Sequence, residues 1–289
     1  MSYLSNFGEN KLIDYLRGQG ITALPATNWY LGLLSAFSDG SVTELSGSGY
    51  ARVTRARSLA NFAGTQAAGS TLASSGTSHA TSNNAAVSWG TPGANWGTAN
   101  FVGFFDALTM GNCWFVVPVP ATVITTGNPD PVQIASASLN IVLGLTGGLS
   151  DYFSNKLIDL VLRAQAFSEP TPWYIALFTA TPSNSGGGTE VSGGSYARVS
   201  FTPDDSTLYS TQGDTSSASS GSAGRTSNVA AIDFPAPSGD WGTVVALGIF
   251  DASSGGNLLF WHALTTSQSV VSGGPAPSFA SDALGITLA

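Results

Sequence analysis

The sequence predicts a mainly β protein built as two tandem homologous domains. Each is expected to be a β-sandwich or jelly-roll-like unit with one leading amphipathic helix. Three observations carry that expectation. The chain of 289 residues repeats itself from end to end. Its apolar residues gather in short runs rich in Val, Ile, Phe, Tyr and Trp, bounded by Gly, Pro, Asn or Ser, which is the pattern of short strands joined by turns. Charged residues make up only 9%, against about 25% in an ordinary soluble domain. With 35 glycines and few Glu, Lys or Arg, long exposed helices are disfavoured.

The repeat is legible segment by segment. NKLID at 10–14 returns at 155–159, an offset of 145. TELSGSGYARV at 43–53 returns as TEVSGGSYARV at 189–199. SNNAAVSW at 82–89 lies over SNVAAIDF at 227–234, and NWGTANFVGFFDALTMGN at 95–112 over DWGTVVALGIFDASSGGN at 240–257. The spacing is too long for a solenoid repeat of about 20–50 residues, so each copy is expected to be a domain in its own right. The boundary is placed near Gly147-Gly148, giving domains 1–146 and 147–289 joined by a short segment that keeps the copies close.

Within a copy, the second half is the cleaner text. LSDYFSNKLIDLVLRAQAF has Ser150 or Asp151 as N-cap and apolar Phe153, Leu157, Leu160, Val161 and Phe167 near helical spacing. Glu169-Pro170 is expected to end this helix, because a residue before proline avoids helical backbone. The first copy repeats it with Leu12, Ile13 and Leu16, ended by Gly18 and Gly20. Strands are expected at 173–180, 195–201, 230–236, 243–252, 257–264 and 285–289, and FDASSGGNLLF has the form of a hairpin. Residues 63–84 and 209–228 are nearly pure Gly, Ser, Thr and Ala. They read either as flexible loops or as arms that order on a neighbouring subunit.

Candidate chemistry is sparse. The net charge of −8 and the lack of a basic stripe disfavour a nucleic-acid partner. No apolar run reaches the length of a membrane span, and no signal peptide is read in the N-terminal residues. Cys113 stands alone, excluding an intrachain disulfide, and its apolar counterpart Leu258 marks it as a small buried hydrophobe. His79 reads as a solvated loop residue and His262 as an ordinary strand residue. The shared acids Asp14/Asp159, Glu44/Glu190 and Asp106/Asp251 fall at a helix, a turn and a hairpin corner, without the pairing that glycoside hydrolysis needs. No metal is expected, since neither zinc nor calcium ligand spacing is present.

The repeated phrase supplies the candidate site. Tyr50 and Arg52, and Tyr196 and Arg198, should share one strand face by alternation. Each Arg can pair with Glu44 or Glu190 across the turn. Two readings stay open: an internal tie between turn and strand, or a subunit contact through Glu44, Tyr50, Arg52, Glu190, Tyr196 and Arg198.

Taken together, NKLID on a leading helix, WYIALFTATPS, GGGTEVSGGSYARVSF, DWGTVVALGIFDASSGGNLLFWHALT and a terminal LGITLA resemble a family of tailed-bacteriophage virion proteins often labelled phage tail fibre proteins. The resemblance covers 148–289 and, more loosely, 1–146, here as a tandem duplication of the usual single unit. It implies a structural component of a phage particle, with no enzyme activity, cofactor or catalytic residue. Its place would be the virion, assembled in the host cytoplasm, and its partners other virion proteins: the major capsid protein, or tail and baseplate proteins. A homo-oligomer is expected, and trimers of a two-domain chain would give pseudo-sixfold surroundings. Capsid decoration is the first functional expectation. A tail-fibre, baseplate or head-fibre role is the alternative, including a host-glycan adhesin if Trp89, Trp96 and Trp114 were exposed. No collagen-like, heptad or β-helix period predicts a fibrous shaft.

Overall fold

The computed structural model describes residues 3–38, 41–127, 130–142 and 148–288. The first copy contains β1 (Tyr3–Leu4), α1 (Asn6–Leu16), β2 (Asn28–Ser38), β3 (Ser41–Glu44), β4 (Val53–Ala56), β5 (Ala80–Thr81), β6 (Val87–Gly90), β7 (Gly97–Phe105), β8 (Cys113–Ile124), β9 (Val132–Ile134) and β10 (Ile141–Val142). The second contains α2 (Asp151–Arg163), β11 (Trp173–Ala180), β12 (Thr189–Glu190), β13 (Val199–Phe201), β14 (Arg225–Ser227), β15 (Ile232–Asp233), β16 (Gly242–Phe250), β17 (Leu258–Val270), β18 (Ser278–Phe279) and β19 (Gly285–Thr287). The mainly β, two-domain reading with one helix each therefore holds. The expected boundary at 146/147 and the final Ala289 lie outside the described residues.

Apart from β1, which the second copy replaces by a single bridge between Leu149 and Phe260, the copies match strand for strand. In the first, the antiparallel order is β1-β8-β7-β2-β3, with β4 also on β2; in the second it is β17-β16-β11-β12, with β13 also on β11. None of these sheets closes into a barrel. Opposite each main sheet lie two-stranded ribbons, β10-β5 and β6-β9 in the first copy, β14-β19 and β15-β18 in the second. The inward face of the first sheet presents Trp29, Leu31, Val102, Phe104 and Phe115, packed with Val87 and Trp89 of β6 and Ile141 of β10. Trp29 alone makes edge-to-face contacts with Phe104, Trp114 and Phe115, the geometry that the ring quadrupole favours.

The helices interlock the two copies. Ser5 and Ser150 cap them, each hydroxyl accepting the backbone N–H three residues on at 3.1 Å. Leu12 and Ile13 of α1 enter the first core, whereas Tyr15 and Leu16 enter the second. Conversely, α2 gives Phe153 and Leu157 to its own core and Ile158, Val161 and Leu162 to the first. The copies are thus less self-contained than the repeat length suggests.

The Gly/Ser-rich segments complete the exchange, each ordered against the helix of the other copy. Arg163 is fully buried and donates to Phe62 O at 3.0 Å, Leu72 O at 2.5 Å and Ser74 Oγ at 3.0 Å, while pairing with Asp159 at 2.5 Å. Asp159 in turn accepts from Ser74 N at 2.9 Å and Ser74 Oγ at 2.6 Å. Asn155 holds Gly76 O and accepts from Thr65. On the other side, Arg17 donates to Leu208 O at 3.2 Å and Ser217 O at 3.0 Å, and pairs with Asp14 at 3.1 Å and Asp205 at 2.9 Å. Asp14 accepts Ser219 N at 2.8 Å, and Asn10 donates to Gly221 O at 3.0 Å. These segments have little apolar matter to bury; a multidentate guanidinium supplies the anchorage instead.

Several local expectations change. Helix α2 ends at Arg163, six residues before Glu169, because Ala164 adopts left-handed backbone and Gln165 N turns back to Asp159 O. Phe167 therefore lies beyond the helix and packs on Phe153. His79 is no solvated loop residue: it meets Asp151 of the other copy at 2.6 Å, with both side chains largely covered. Within 195–201 only Val199–Phe201 is strand, whereas the strand expected at 257–264 continues to Val270.

Removing one guanidinium should unseat a whole segment. Arg163→Ala leaves Asp159 buried and uncompensated, and a loss of about 3–5 kcal/mol is expected in chemical denaturation. An unchanged midpoint would show that the clasp adds nothing to stability. A second prediction concerns Glu169, whose carboxyl faces Gly18 N of the first copy with one oxygen unpartnered. Burial, partly offset by the Gly18 N–H, pushes its pKa up to about 9 from 4.5. The folded state then holds a proton that the unfolded chain releases, so this group's contribution declines as pH climbs from about 4.5 towards 9. Glu169→Gln should flatten that decline in pH-dependent unfolding while leaving stability below pH about 4.5 nearly unchanged.

Candidate functional site

The repeated Glu, Tyr and Arg residues converge in both copies. Strand β2 pairs with β4 up to Leu31 and with β3 from Leu34 onward. The N–H of Leu33 falls in the gap, where the Tyr50 hydroxyl accepts it at 2.9 Å. That hydroxyl donates to Glu44 Oε1 at 2.9 Å. Arg52 holds the same carboxylate with two nitrogens, Nε to Oε1 at 3.0 Å and Nη2 to Oε2 at 2.7 Å, the bidentate geometry that makes such pairs strong. The second copy reproduces it: Leu177 N to Tyr196 at 2.9 Å, Tyr196 to Glu190 at 3.0 Å, and Arg198 to both Glu190 oxygens at 2.8 and 2.7 Å. Tyr50, Arg52, Tyr196 and Arg198 all precede the strands β4 and β13, so strand alternation is not what gathers them.

Each arginine also reaches a distant turn. Arg52 lies 3.4 Å above the Phe105 ring and donates to Ala107 O at 2.7 Å and Met110 O at 2.6 Å. Arg198 lies 3.7 Å above Phe250 and donates to Ala252 O at 2.7 Å and Gly255 O at 2.9 Å. The β7–β8 turn is further closed by Asp106, whose carboxylate accepts Asn112 N at 2.7 Å and Asn112 Nδ2 at 2.8 Å; Asp251 and Asn257 repeat this at 2.6 Å each. Gly111 and Gly256 sit where a Cβ would meet those carboxylates at 2.4 and 2.5 Å, at φ of +70° and +73°. Glycine is therefore required at both.

Electrostatically the cluster is saturated. Burial and the adjacent glutamate raise the Tyr50 phenol well above its usual value, and burial does the same at Tyr196. Trp96 and Trp241 brace the tyrosines edge-on at 5.3 Å. Cys113 lies buried nearby, its thiol pushed up to about 12 by burial, and so is a poor nucleophile. His262 lies on β17 and is exposed. Trp89, Trp96 and Trp114 are buried and offer no sugar-stacking surface. Among the described residues, no three His, Cys, Asp or Glu side chains gather to hold a metal, and no helix is long and apolar enough to cross a membrane.

A family model described as podophage GP4 fiber I protein gp80 matches residues 3–142 and again 148–287. The chain belongs to this phage fibre family. The two matches fall on the two structural copies, so this fibre protein carries the family unit as a tandem duplication. No curated protein matches the chain. Sequence reasoning missed two parts of the fibre unit's architecture: the reach of Arg52 and Arg198 into the hairpin turns, and the buried Arg17 and Arg163. The first had a signal in the repeated D-A-x-x-x-G-N of the turns, and the second in the arginine that follows both NKLID segments.

Arg198→Ala removes the cation from Glu190 and the donors from Ala252 O and Gly255 O. A loss of about 2 kcal/mol is expected in the full chain, with faster proteolysis confined to 251–257. Arg198→Lys should restore the charge without the fork and recover only part of it. Equal behaviour of both variants would overturn the bidentate clamp.

Proposed function

We infer that the protein is a non-enzymatic structural part of a phage fibre apparatus, working in the virion as a compact hub, linker or tip module. The family match over both copies carries this reading. The site geometry supports it, because the polar groups with most chemical potential are committed to internal ties. Glu44, Arg52, Glu190 and Arg198 hold turns in place, and Asp14, Arg17, Asp159 and Arg163 hold the copies together. No fibrous period runs through the two copies, so the duplicated unit is itself not a shaft. Its partners are then other virion proteins, and the six residues of the two clusters serve attachment by fixing the turns they hold.

Capsid decoration, the first expectation from sequence, is a less supported reading, since the matched family is described as a fibre protein. The adhesin reading loses the three buried tryptophans. Copy number separates the alternatives. Quantitative densitometry of purified virions should find a few symmetric sets of the chain per particle, and labelled antibody should mark the tail or a vertex. Parity with the major capsid protein would restore decoration.

A further inference from the structure

The backbone around the β10-β5 and β14-β19 ribbons is bonded alike in the two copies. In the first, Ala63 N donates to Ser82 O, Thr81 Oγ1 to Ala63 O, and Ala137 N to Asn83 O. In the second, Tyr209 N donates to Ser227 O, Thr226 Oγ1 to Tyr209 O, and Asp282 N to Asn228 O. Leu139 N and Leu284 N likewise donate to the Oδ1 atoms of Asn83 and Asn228. These bonds set Ala63 against Tyr209, Ala80 against Arg225, Ala137 against Asp282 and Asn140 against Gly285. At one place in the fold, three alanines have become an aromatic ring, a cation and a carboxylate, and a polar side chain has given way to glycine.

The surface there is a cleft of about 220 Å³ in the first copy and about 380 Å³ in the second. The larger one falls within the range of small-ligand sites, about 300–1,000 Å³. Its wall includes Tyr209, Arg225, Ser227, Ser281 and Asp282. Gly285 makes room for the guanidinium, since a Cβ there would meet Arg225 Nη2 at 2.7 Å. Arg225 Nη1 donates to Asp282 Oδ1 at 2.7 Å and to Ser227 Oγ at 3.3 Å, and Ser227 Oγ donates to the same Oδ1 at 2.6 Å. Arg225 Nη2 donates to Asp282 O at 3.0 Å. Asp282 Oδ2 has no partner among the described residues. The pair is not what shapes the turn: Ala137 makes it at a φ of +60°, against +66° at Asp282, with no side-chain bond to offer. Nor does it add much stability, with 41% and 63% of the two side chains exposed. Residues 147–289 hold four bases against eleven acids, so an anionic ligand is disfavoured.

We propose that the cleft of the second copy binds a neutral saccharide through a pair of adjacent hydroxyls, and that the first copy, with its alanines, does not. Each sugar hydroxyl can donate and accept. A carboxylate fixed beside a guanidinium offers an acceptor and a donor side by side, which two neighbouring hydroxyls can meet together. Arg225 spends three of its five donors on the protein, leaving two for a ligand. The Tyr209 ring supplies an apolar face for the C–H side of the sugar. Mutual pairing of Arg225 and Asp282 keeps both groups in place before binding, which lowers the ordering cost. This goes beyond the fibre reading and does not depend on it.

The test is saturation-transfer NMR with calorimetric titration on the full chain, using the methyl pyranosides of glucose, galactose, mannose and rhamnose as probes and N-acetylneuraminic acid as the anionic control. The variant Tyr209→Ala/Arg225→Ala/Asp282→Ala/Gly285→Asn writes the first copy's own residues into the second, so the fold and the melting temperature are retained. At least one neutral probe should bind wild type saturably and bind the fourfold variant at least tenfold more weakly. Asp282→Asn alone should weaken it as well, since the amide keeps the shape but loses one acceptor. Failure of all four neutral probes to bind wild type, binding indifferent to both variants, or a preference for the anionic control overturns the proposal.

Discussion

Two buried guanidinium ions govern this structure. Arg17 and Arg163 each lie at the end of a helix, fully covered, with carboxylates on one side and the carbonyls of the other copy's Gly/Ser segment on the other. A buried charge is tolerable only when paired and hydrogen-bonded. Each helix supplies one pairing carboxylate, Asp14 or Asp159, Asp205 of the second copy adds another to Arg17, and the carbonyl partners come from the sibling copy. Neither segment has enough apolar side chains to fold by collapse, and neither arginine could stay buried without the carbonyls. Ordering of the segments, burial of the arginines and docking of the helices are therefore one coupled event.

The same donor chemistry appears at smaller scale in the turn clamps. Arg52 and Arg198 are paired to carboxylates by one edge of the fork and hold loop carbonyls with another nitrogen. A chain with 9 basic residues among 289 places several of them where loop backbone must be fixed. This explains how a protein so poor in charge and so rich in Gly and Ser keeps long connections ordered. Its surface charge is low because much of its cationic complement faces inward.

What the sequence made legible follows from locality. Strand β11 could be read residue for residue, since WYIALFTA carries its own propensity and boundaries. The duplication was visible because both copies retain the residues that shape turns. Glu44, Tyr50 and Arg52 converge, but not by alternation along a strand, since β4 begins only at Val53. Their true organiser is the gap in pairing at Leu33, a sheet-level property that eleven residues of sequence do not contain. The exchange of helices was illegible for a similar reason. Periodicity tells which helix face is apolar, but α1 and α2 each bury two faces in two cores. His79 lay in a polar stretch and gave no hint that its partner Asp151 was 72 residues away.

Two interlocked copies in one chain also behave differently from two chains that happen to pair. Tethering replaces a bimolecular encounter by an intramolecular one, whose effective concentration is set by the join and not by the solution. A particle released from its host spends its working life at extreme dilution, where mass action pulls reversible assemblies apart. For a part whose cores are completed by its sibling, covalent continuity means that the mate cannot diffuse away. Integrity then no longer depends on how many other copies are nearby.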